Sequence, residues 1–232
     1  RPQPDDLMVE IGPGLGALTQ PLLRVLKQLH VVELDRDIVQ WMQSHYAPHS
    51  ITIHNLDALK FDFSALAQPA SAQKLRVVGN LPYNISTPIL FHLLDNLAHI
   101  SDMHFMLQKE VVERMVAQPS SAAYGRLSVM LQYRLHMEYL FTVPPQAFEP
   151  PPKVESAFVR AVPHAALPYP AKDEKLFAKV VASAFGQRRK TLRNTLKELL
   201  DDRDFAELDI NPQLRAENLS VAEFVAIANH LA

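Results

Sequence analysis

The segment Glu10-Ile11-Gly12-Pro13-Gly14-Leu15-Gly16 lies where an apolar strand pattern changes into a helical one. Only glycines let a backbone bend that tightly and still leave room for a ligand against the chain. Gly12 and Gly14, together with Ala17, also satisfy the dinucleotide-binding fingerprint. The segment therefore predicts an α/β fold with a ligand at the end of its first strand. A dinucleotide, another nucleotide-like ligand and a glycine turn without any ligand remain open on these residues alone.

Short apolar runs alternate with longer helical patterns from residue 7 to about residue 160, which indicates stacked β-α units and a mostly parallel sheet. The strands are predicted at residues 7–11, 30–34, 51–55, 75–80, 103–108, 137–143 and 157–162. The helices between them are predicted at residues 15–29, 36–44, 88–97, 109–117 and 125–135. Prolines fill the gap between the last two strands, so we expect those strands to pair antiparallel around a rigid loop.

A proline-rich stretch at residues 163–173 breaks this pattern and is typical of a linker. Helices are predicted beyond it at residues 175–185, 188–200 and 221–231, the last capped by Ser220 with Glu223 three positions on. We therefore expect an α/β domain over residues 1–163 and a small all-α domain over residues 164–232.

The composition excludes several classes of protein. The sequence has no cysteine, which excludes disulfides, thiolate metal sites and cysteine nucleophiles. His45 and His49 have helical spacing but Pro48 interrupts it, so we expect no metal site. No apolar run approaches the roughly eighteen residues of a membrane span, and no secretory leader is present, so we expect a cytoplasmic protein without a membrane partner.

Acidic residues stand at the carboxyl ends of three successive predicted strands and discriminate between the ligands. Glu10 stands just before the glycine turn, where a carboxylate would repel a pyrophosphate but tolerate a cationic sulfonium. Glu33 ends the second strand and can accept both hydroxyls of a ribose, and Asp57-Ala58 follows the third strand, where an acceptor can take an adenine amine. A solvated strand end for Glu33 and a simple turn for Asp57 are the alternatives. The pattern favours S-adenosylmethionine, with cofactor contacts predicted at Glu10, Gly12, Gly14, Glu33, Asp57 and Ala58.

The tetrapeptide Asn80-Leu81-Pro82-Tyr83 follows the fourth strand and predicts the reaction site. Adenine N6 is a poor nucleophile because its lone pair is delocalised into the ring, and two acceptors for its N–H bonds would localise that pair. The Asn80 side-chain oxygen and the Leu81 carbonyl are acceptors of the right type, and Pro82 stiffens the loop. Tyr83 can stack on an extruded base, with Phe148 on its other face. A plain loop, and a core position for Phe148, are the alternatives.

Basic residues crowd the predicted helix at 188–200, which carries a net charge of +4 from five basic residues and one acidic residue. Such a stripe suits phosphate contacts, although a solvated helix face has the same composition. The predicted RNA-binding residues are Arg188, Arg189, Lys190 and Arg193.

The chain resembles the bacterial 16S rRNA adenine N6,N6-dimethyltransferases. The narrowest shared motifs are Leu107-Gln108-Lys109-Glu110-Val111, Tyr124-Gly125-Arg126-Leu127-Ser128 and Gln187-Arg188-Arg189-Lys190-Thr191, and the match spans nearly the whole chain. The resemblance implies a Rossmann-like S-adenosylmethionine-dependent methyltransferase domain with a small helical domain behind it. It implies dimethylation of two adjacent adenosines near the 3′ end of 16S rRNA in the assembling small subunit, and cofactor contacts at Gly12, Glu33, Asp57 and Asn80.

The family's first cofactor motif, a Gly-Gln-Asn-Phe-Leu-type segment, has no counterpart here, so we expect further residues upstream of Arg1. We also expect the protein to act as a monomer. Three other functions stay open: a nucleotide-cofactor dehydrogenase, a large-subunit rRNA adenine methylase that confers antibiotic resistance, and a non-catalytic RNA-binding assembly factor on the same fold.

Overall fold

The computed structural model describes residues 1–67, 73–82 and 84–232. This part of the chain divides into two compact units, one formed by Arg1–Lys109 with Glu138–Pro163 and the other by Glu110–Met137 with His164–Ala232. The predicted domains counted residues 110–137 with the sheet, whereas compactness groups them with the C-terminal helices. The division at residue 163 therefore stays a prediction, although one chain crossing between the units falls there.

A seven-stranded sheet organises the first unit, and all seven predicted strands are present within three residues of their predicted bounds. The strands are β1 (Met8–Ile11), β2 (Leu29–Glu33), β3 (Ile51–Asn55), β4 (Leu75–Asn80), β5 (Ile100–Gln108), β6 (Leu135–Val143) and β7 (Ser156–Pro163). Their order across the sheet is β3-β2-β1-β4-β5-β7-β6.

The strand directions confirm the predicted fold class. β1 pairs in parallel with β2 and β4, β2 with β3, and β4 with β5, whereas β7 runs antiparallel to β5. The chain order reverses direction across the sheet at β1 and β4, and ligands of open α/β sheets bind where this happens, outside the carboxyl ends of the strands. Gly12, Glu33, Asn55 and Asn80 all stand at that edge.

The helices of the first unit are α1 (Thr19–Leu23), α2 (Arg36–His45) and α3 (Ser86–Leu94). The predicted helix at 15–29 is wrong in its extent, since only five of those residues are helical. Gly16, with a φ of 85°, holds the chain in a left-handed turn before the helix. At the other end, the N–H groups of Lys27 and Leu29 donate to Pro4 and Ser50 instead of to the preceding turn, so the chain has already left the helix.

The second unit contains all of α4 (Lys109–Val116) except its first residue, together with α5 (Arg126–Gln132), α6 (Glu174–Ala184), α7 (Leu192–Thr195), α8 (Asp202–Glu207) and α9 (Val221–His230). Its core is a continuous apolar cluster that includes Val129, Phe177, Val181 and Phe224. The predicted helix at 188–200 is wrong, since only the four residues of α7 are helical. The N–H groups of Leu192 and Arg193 donate to the carbonyls of Leu214 and Pro212, so this segment is tied to a neighbouring loop rather than to its own preceding turn.

The described residues contain neither a membrane-spanning helix nor a cluster of metal-binding side chains. None of their helices is both long enough and apolar enough to cross a membrane. Within the same ranges, no group of three or more histidine, aspartate or glutamate side chains is arranged to hold a metal ion.

Candidate cofactor and reaction site

A cavity of about 410 Å³ opens at the carboxyl ends of β1, β2 and β3 and at the loop after β4. Four residues predicted to bind the cofactor line it, namely Gly12, Glu33, Asp57 and Ala58. Pro82 of the predicted reaction loop lines it as well. The meeting of the strand ends thus brings together residues that are up to 74 positions apart in the sequence, from Ile11 to Ile85.

Gly12 is the point where the loop after β1 meets the loop after β4. Its φ of 65° is left-handed, and its N–H donates to the carbonyl of Val32 at 3.0 Å. A Cβ built on Gly12 would stand 3.7 Å from the Asn80 carbonyl and 3.9 Å from the Pro82 ring. The absence of a side chain at Gly12 therefore keeps open the space between the two loops.

Glu33 is buried at the end of β2, with one oxygen engaged. Its Oε1 accepts the N–H of Asp35 at 2.9 Å, and no hydrogen bond joins its Oε2 to the described residues. The Asn55 side chain holds this corner in place, donating to the Glu33 carbonyl at 2.9 Å and the Leu34 carbonyl at 3.2 Å. A carboxylate oxygen that lines a cavity without a partner is suited to accept a ligand hydroxyl.

Asp57 caps the short 3-10 turn Ala58–Lys60 and accepts the Leu59 N–H at 2.9 Å through Oδ1. The turn-forming role weighed as an alternative is therefore present, and it leaves Oδ2 available at the cavity wall. Both roles are compatible, because a carboxylate offers about four acceptor positions.

Glu10 has a different environment from the one predicted. It is only 1% exposed, it does not line the cavity, and its Oε2 accepts the hydroxyl hydrogen of buried Thr19 at 2.7 Å. Burial raises the pKa of Glu10 to about 7, the Thr19 hydrogen bond opposes this shift, and the negative charge of Glu33 adds to it. A direct contact between Glu10 and a cofactor stays a prediction, as does one at Gly14, which also lies outside the cavity lining.

The reaction loop begins at Gly79, where β4 lies close against β1. Asn80 is exposed, and Leu81 is buried with its N–H donating to the Met106 carbonyl at 3.1 Å. Leu81 therefore anchors the loop while Asn80 stays accessible. Tyr83 lies outside the described residues, so its stacking role stays a prediction.

Phe148 follows the 3-10 turn Pro145–Ala147 and is half-buried. It is not among the residues that line the cavity, so its pairing with an extruded base also stays a prediction. Sequence reasoning missed seven residues that line the cavity: Ile11, Val32, Leu34, Asp35, Leu56, Asn84 and Ile85. Asp35 could have been found, because its carboxylate caps α2 by accepting the N–H groups of Asp37 and Ile38, a capping pattern visible in the sequence.

The predicted basic stripe does not lie on one continuous helix, and two of its arginines have acidic partners. Arg188 donates through Nη2 to the Ala122 carbonyl at 2.7 Å, and its Nε lies 3.7 Å from Glu217. Arg193 pairs instead with Asp202 at 2.7 Å. Contacts of Arg188, Arg189, Lys190 and Arg193 with RNA stay a prediction.

Comparison with known proteins places this chain in a family. All of residues 1–232 match the model of the family described as ribosomal RNA adenine dimethylase. The chain belongs to this family. The resemblance found in the sequence is thereby confirmed.

Curated relatives resemble the chain along nearly its whole length. One named ribosomal RNA small subunit methyltransferase A, from Methylobacillus flagellatus, is 74% identical over 231 residues, covering 100% of this chain and 89% of the relative. Another of the same name, from Laribacter hongkongensis, is 61% identical and covers 98% of this chain and 86% of the relative.

Solved structures share the fold at lower identity. A dimethyladenosine transferase from Plasmodium falciparum superposes with a TM-score of 0.79 at 22% identity, covering 97% of this chain and 89% of that one. The 23S rRNA methyltransferase ErmE superposes with a TM-score of 0.74 at 21% identity, covering 99% and 92%.

Proposed function

We propose that this chain uses S-adenosylmethionine to dimethylate N6 of two adjacent adenosines near the 3′ end of 16S rRNA, within small subunits assembling in the cytoplasm. The observation that carries the proposal is the convergence of Gly12, Glu33, Asp57 and Pro82 on one cavity, beside the backbone of Asn80. Family membership and relatives named as small-subunit enzymes support the substrate class.

The residues present fit the cofactor. Glu33 has a free carboxylate oxygen for the ribose hydroxyls, and Asp57 has one for the adenine amine. The absence of a side chain at Gly12 leaves room for the ligand between the loops that follow β1 and β4. When bound, S-adenosylmethionine supplies a methyl group made electrophilic by its positively charged sulfur.

The reaction loop would position the nucleophile. Asn80 offers its side-chain oxygen to one N–H of adenine N6, and the neighbouring backbone offers a carbonyl to the other, which localises the nitrogen lone pair. The buried Leu81 and the rigid Pro82 limit the movement of this loop, so alignment, rather than a strong base, is what the protein contributes. The amine loses its proton to water after methylation has made it acidic.

The deciding experiment is transfer of labelled methyl groups to unmethylated small subunits, followed by mapping of the modified nucleotides. We expect label on two adjacent adenosines in the 3′ domain. We expect Asn80→Ala to lose about a hundredfold or more of this activity with an unchanged thermal unfolding curve, because Asn80 is exposed. Gln43→Ala, at an exposed position of α2 outside the cavity, is the matched control and keeps full activity.

The alternatives give different results in the same experiments. Unmethylated large subunits are assayed in parallel. Absence of label on both subunits with a folded wild-type chain favours the assembly factor, and label only on large subunits favours the antibiotic-resistance methylase. Calorimetry separates the dehydrogenase, since tight binding of NAD without binding of S-adenosylmethionine would refute the cofactor assignment. An active Asn80→Ala variant would refute the role of Asn80.

A further inference from the structure

The glycine turn between β1 and α1, residues 12–16, passes close to a side chain that follows α2. A Cβ built on Gly16 would collide with the hydroxyl oxygen of Tyr46 and would lie 3.3 Å from its Cζ and 3.7 Å from its Cε2. The Tyr46 hydroxyl therefore occupies the space that any side chain at residue 16 would need. Tyr46 does not line the cofactor cavity, and the methyl-transfer chemistry described above does not use it.

Tyr46 is held in this position by its own surroundings. It follows the last residue of α2, and its N–H donates to the Met42 carbonyl at 2.9 Å. Its half-buried ring packs against the apolar cluster that includes Leu26 and Met42. The Tyr46 ring also meets the Trp41 ring edge to face, with the ring centroids 6.1 Å apart. The packing of the ring therefore fixes the hydroxyl next to Gly16.

Gly16 connects the glycine turn to the start of α1. It is buried, its N–H donates to the Pro13 carbonyl at 3.0 Å, and its carbonyl accepts the Gln20 N–H at 3.0 Å. Pro13 directly follows Gly12, which lines the cofactor cavity. A displacement of Gly16 would therefore move the backbone that faces the cofactor.

A second contact fixes the base of the same turn. Buried Glu10, in β1, accepts the hydroxyl hydrogen of Thr19, the first residue of α1, at 2.7 Å. Burial raises the pKa of Tyr46, and the negative charge of Glu10 adds to this shift, so the Tyr46 hydroxyl stays protonated at neutral pH. The glycine turn is thus held at its base by the bond between β1 and α1, and at Gly16 by the side chain of Tyr46.

We propose that Tyr46 is a positioning residue for the cofactor, whose hydroxyl supports Gly16 and so fixes the path of the glycine turn against S-adenosylmethionine. This inference rests on the proposed function. Tyr46 lies outside the cofactor cavity and acts through Gly16. A glycine at residue 16 is then required for two reasons, the left-handed φ of 85° and the neighbouring Tyr46 hydroxyl. The second reason can be tested separately from the first.

The test is a double-mutant cycle in which calorimetry measures the binding of S-adenosylmethionine. We expect Tyr46→Phe to bind the cofactor about threefold more weakly than the wild type, because the support of Gly16 is lost, and Gly16→Ala to bind it about tenfold more weakly. In the Gly16→Ala background, Tyr46→Phe should instead strengthen binding about threefold, because the ring atom nearest to the new methyl group is then Cζ at 3.3 Å. The strain of alanine at a left-handed φ is present in both backgrounds and cancels in this comparison.

Tyr169→Phe is the matched control, because Tyr169 is an exposed tyrosine of the second unit and does not line the cofactor cavity. We expect it to keep the wild-type affinity for S-adenosylmethionine. In the methyl-transfer assay, Tyr46→Phe should raise KM for S-adenosylmethionine and leave kcat unchanged, because the reaction loop keeps its position. Circular dichroism checks that each variant is folded, and urea unfolding measures its stability.

The possible results separate this inference from the proposed function. Wild-type affinity of Tyr46→Phe, or the same effect of Tyr46→Phe in both backgrounds, would overturn the role of Tyr46. The role would also be overturned if the two changes interacted in the free energy of unfolding but not in the affinity for S-adenosylmethionine. A chain that shows the expected affinities but transfers no methyl group would contradict only the proposed function.

Discussion

Gly79→Ala tests whether the close approach of β1 and β4 builds the site. Gly79 pairs with Ile11 in the parallel register, and a Cβ at Gly79 would lie 2.6 Å from the Ile11 carbonyl oxygen and 3.0 Å from the Leu81 Cδ2. Ordinary contacts of a Cβ begin at 3.4 Å, so the methyl group and the carbonyl must separate by about 0.8 Å. The obstructing atom belongs to the backbone of a central strand, which cannot swing aside as a flexible side chain could.

The expected cost follows from two opposing effects. Overpacking a well-packed interior costs about 1–3 kcal/mol, and replacing glycine by alanine recovers about 0.4–1 kcal/mol by restricting the unfolded chain. We therefore expect the free energy of unfolding to fall by about 1–2 kcal/mol. Since β1 leads into Gly12 and β4 ends at Asn80, we also expect weaker binding of S-adenosylmethionine.

Urea unfolding followed by tryptophan fluorescence suits this measurement, because Trp41 is the single tryptophan of the chain and belongs to the same compact unit as Gly79. Gly125→Ala is the matched control. A Cβ at Gly125 meets nothing within 4 Å, and the φ of −166° at Gly125 is ordinary extended backbone. Urea unfolding followed by circular dichroism should therefore show that the free energy of unfolding of Gly125→Ala lies within about 0.5 kcal/mol of the wild-type value. A Gly79→Ala variant with wild-type stability and wild-type cofactor affinity would refute the reasoning.

Three further changes have expected outcomes. Because burial raises the pKa of Glu10 to about 7 from 4.5, folding favours its protonated form, and the free energy of unfolding should fall by about 3 kcal/mol between pH 4.5 and pH 7. Urea unfolding measured across this pH range should show that the free energy of unfolding of Glu10→Gln does not fall in this way. If the free energy of the variant falls as steeply with pH as that of the wild type, other groups cause the loss. The Ser220 hydroxyl caps α9 by accepting the Glu223 N–H, and Ser220→Ala removes this cap. Thermal unfolding should show that the free energy of unfolding falls by about 1 kcal/mol. An unchanged free energy of unfolding would mean that the cap contributes nothing to stability. Arg193→Gln breaks an exposed pair with Asp202 and should cost less than about 1 kcal/mol in the same assay, and a larger loss would contradict a weak surface pair.

The sheet could be predicted from the sequence because its signal is local. Buried strands such as β1 and β4 are short apolar runs bounded by turn residues, and their bounds were predicted within one residue. The extents of α1 and α7 could not be predicted in this way. Their apolar spacing is helical, but backbone groups of Lys27, Leu29, Leu192 and Arg193 bond to distant segments, and a periodicity within one segment does not contain that information.

The same distinction between local signals and contacts with distant segments applies to the site residues. Gly12, Glu33 and Asp57 were predicted because residues at the carboxyl ends of parallel strands meet at one edge whatever the loops do. Asn84 was missed because its position depends on the path of a loop. The environment of Glu10 was not predicted either, since its partner Thr19 is set by how α1 packs against β1.

Charge shows most clearly why composition along the chain is a poor guide to a binding surface. The +4 of residues 185–200 would form a stripe only if the segment were one continuous helix, and the structure instead pairs Arg193 with Asp202 and holds Arg188 near Glu217. Arg114 and Arg126 lie in segments that no charge count would single out, yet they share a cavity wall with Arg188. Electrostatic attraction depends on distances through space and on which charges are already neutralised. A run of basic residues in the sequence is therefore not by itself evidence of a phosphate-binding surface, because the fold decides which of them have an acidic partner.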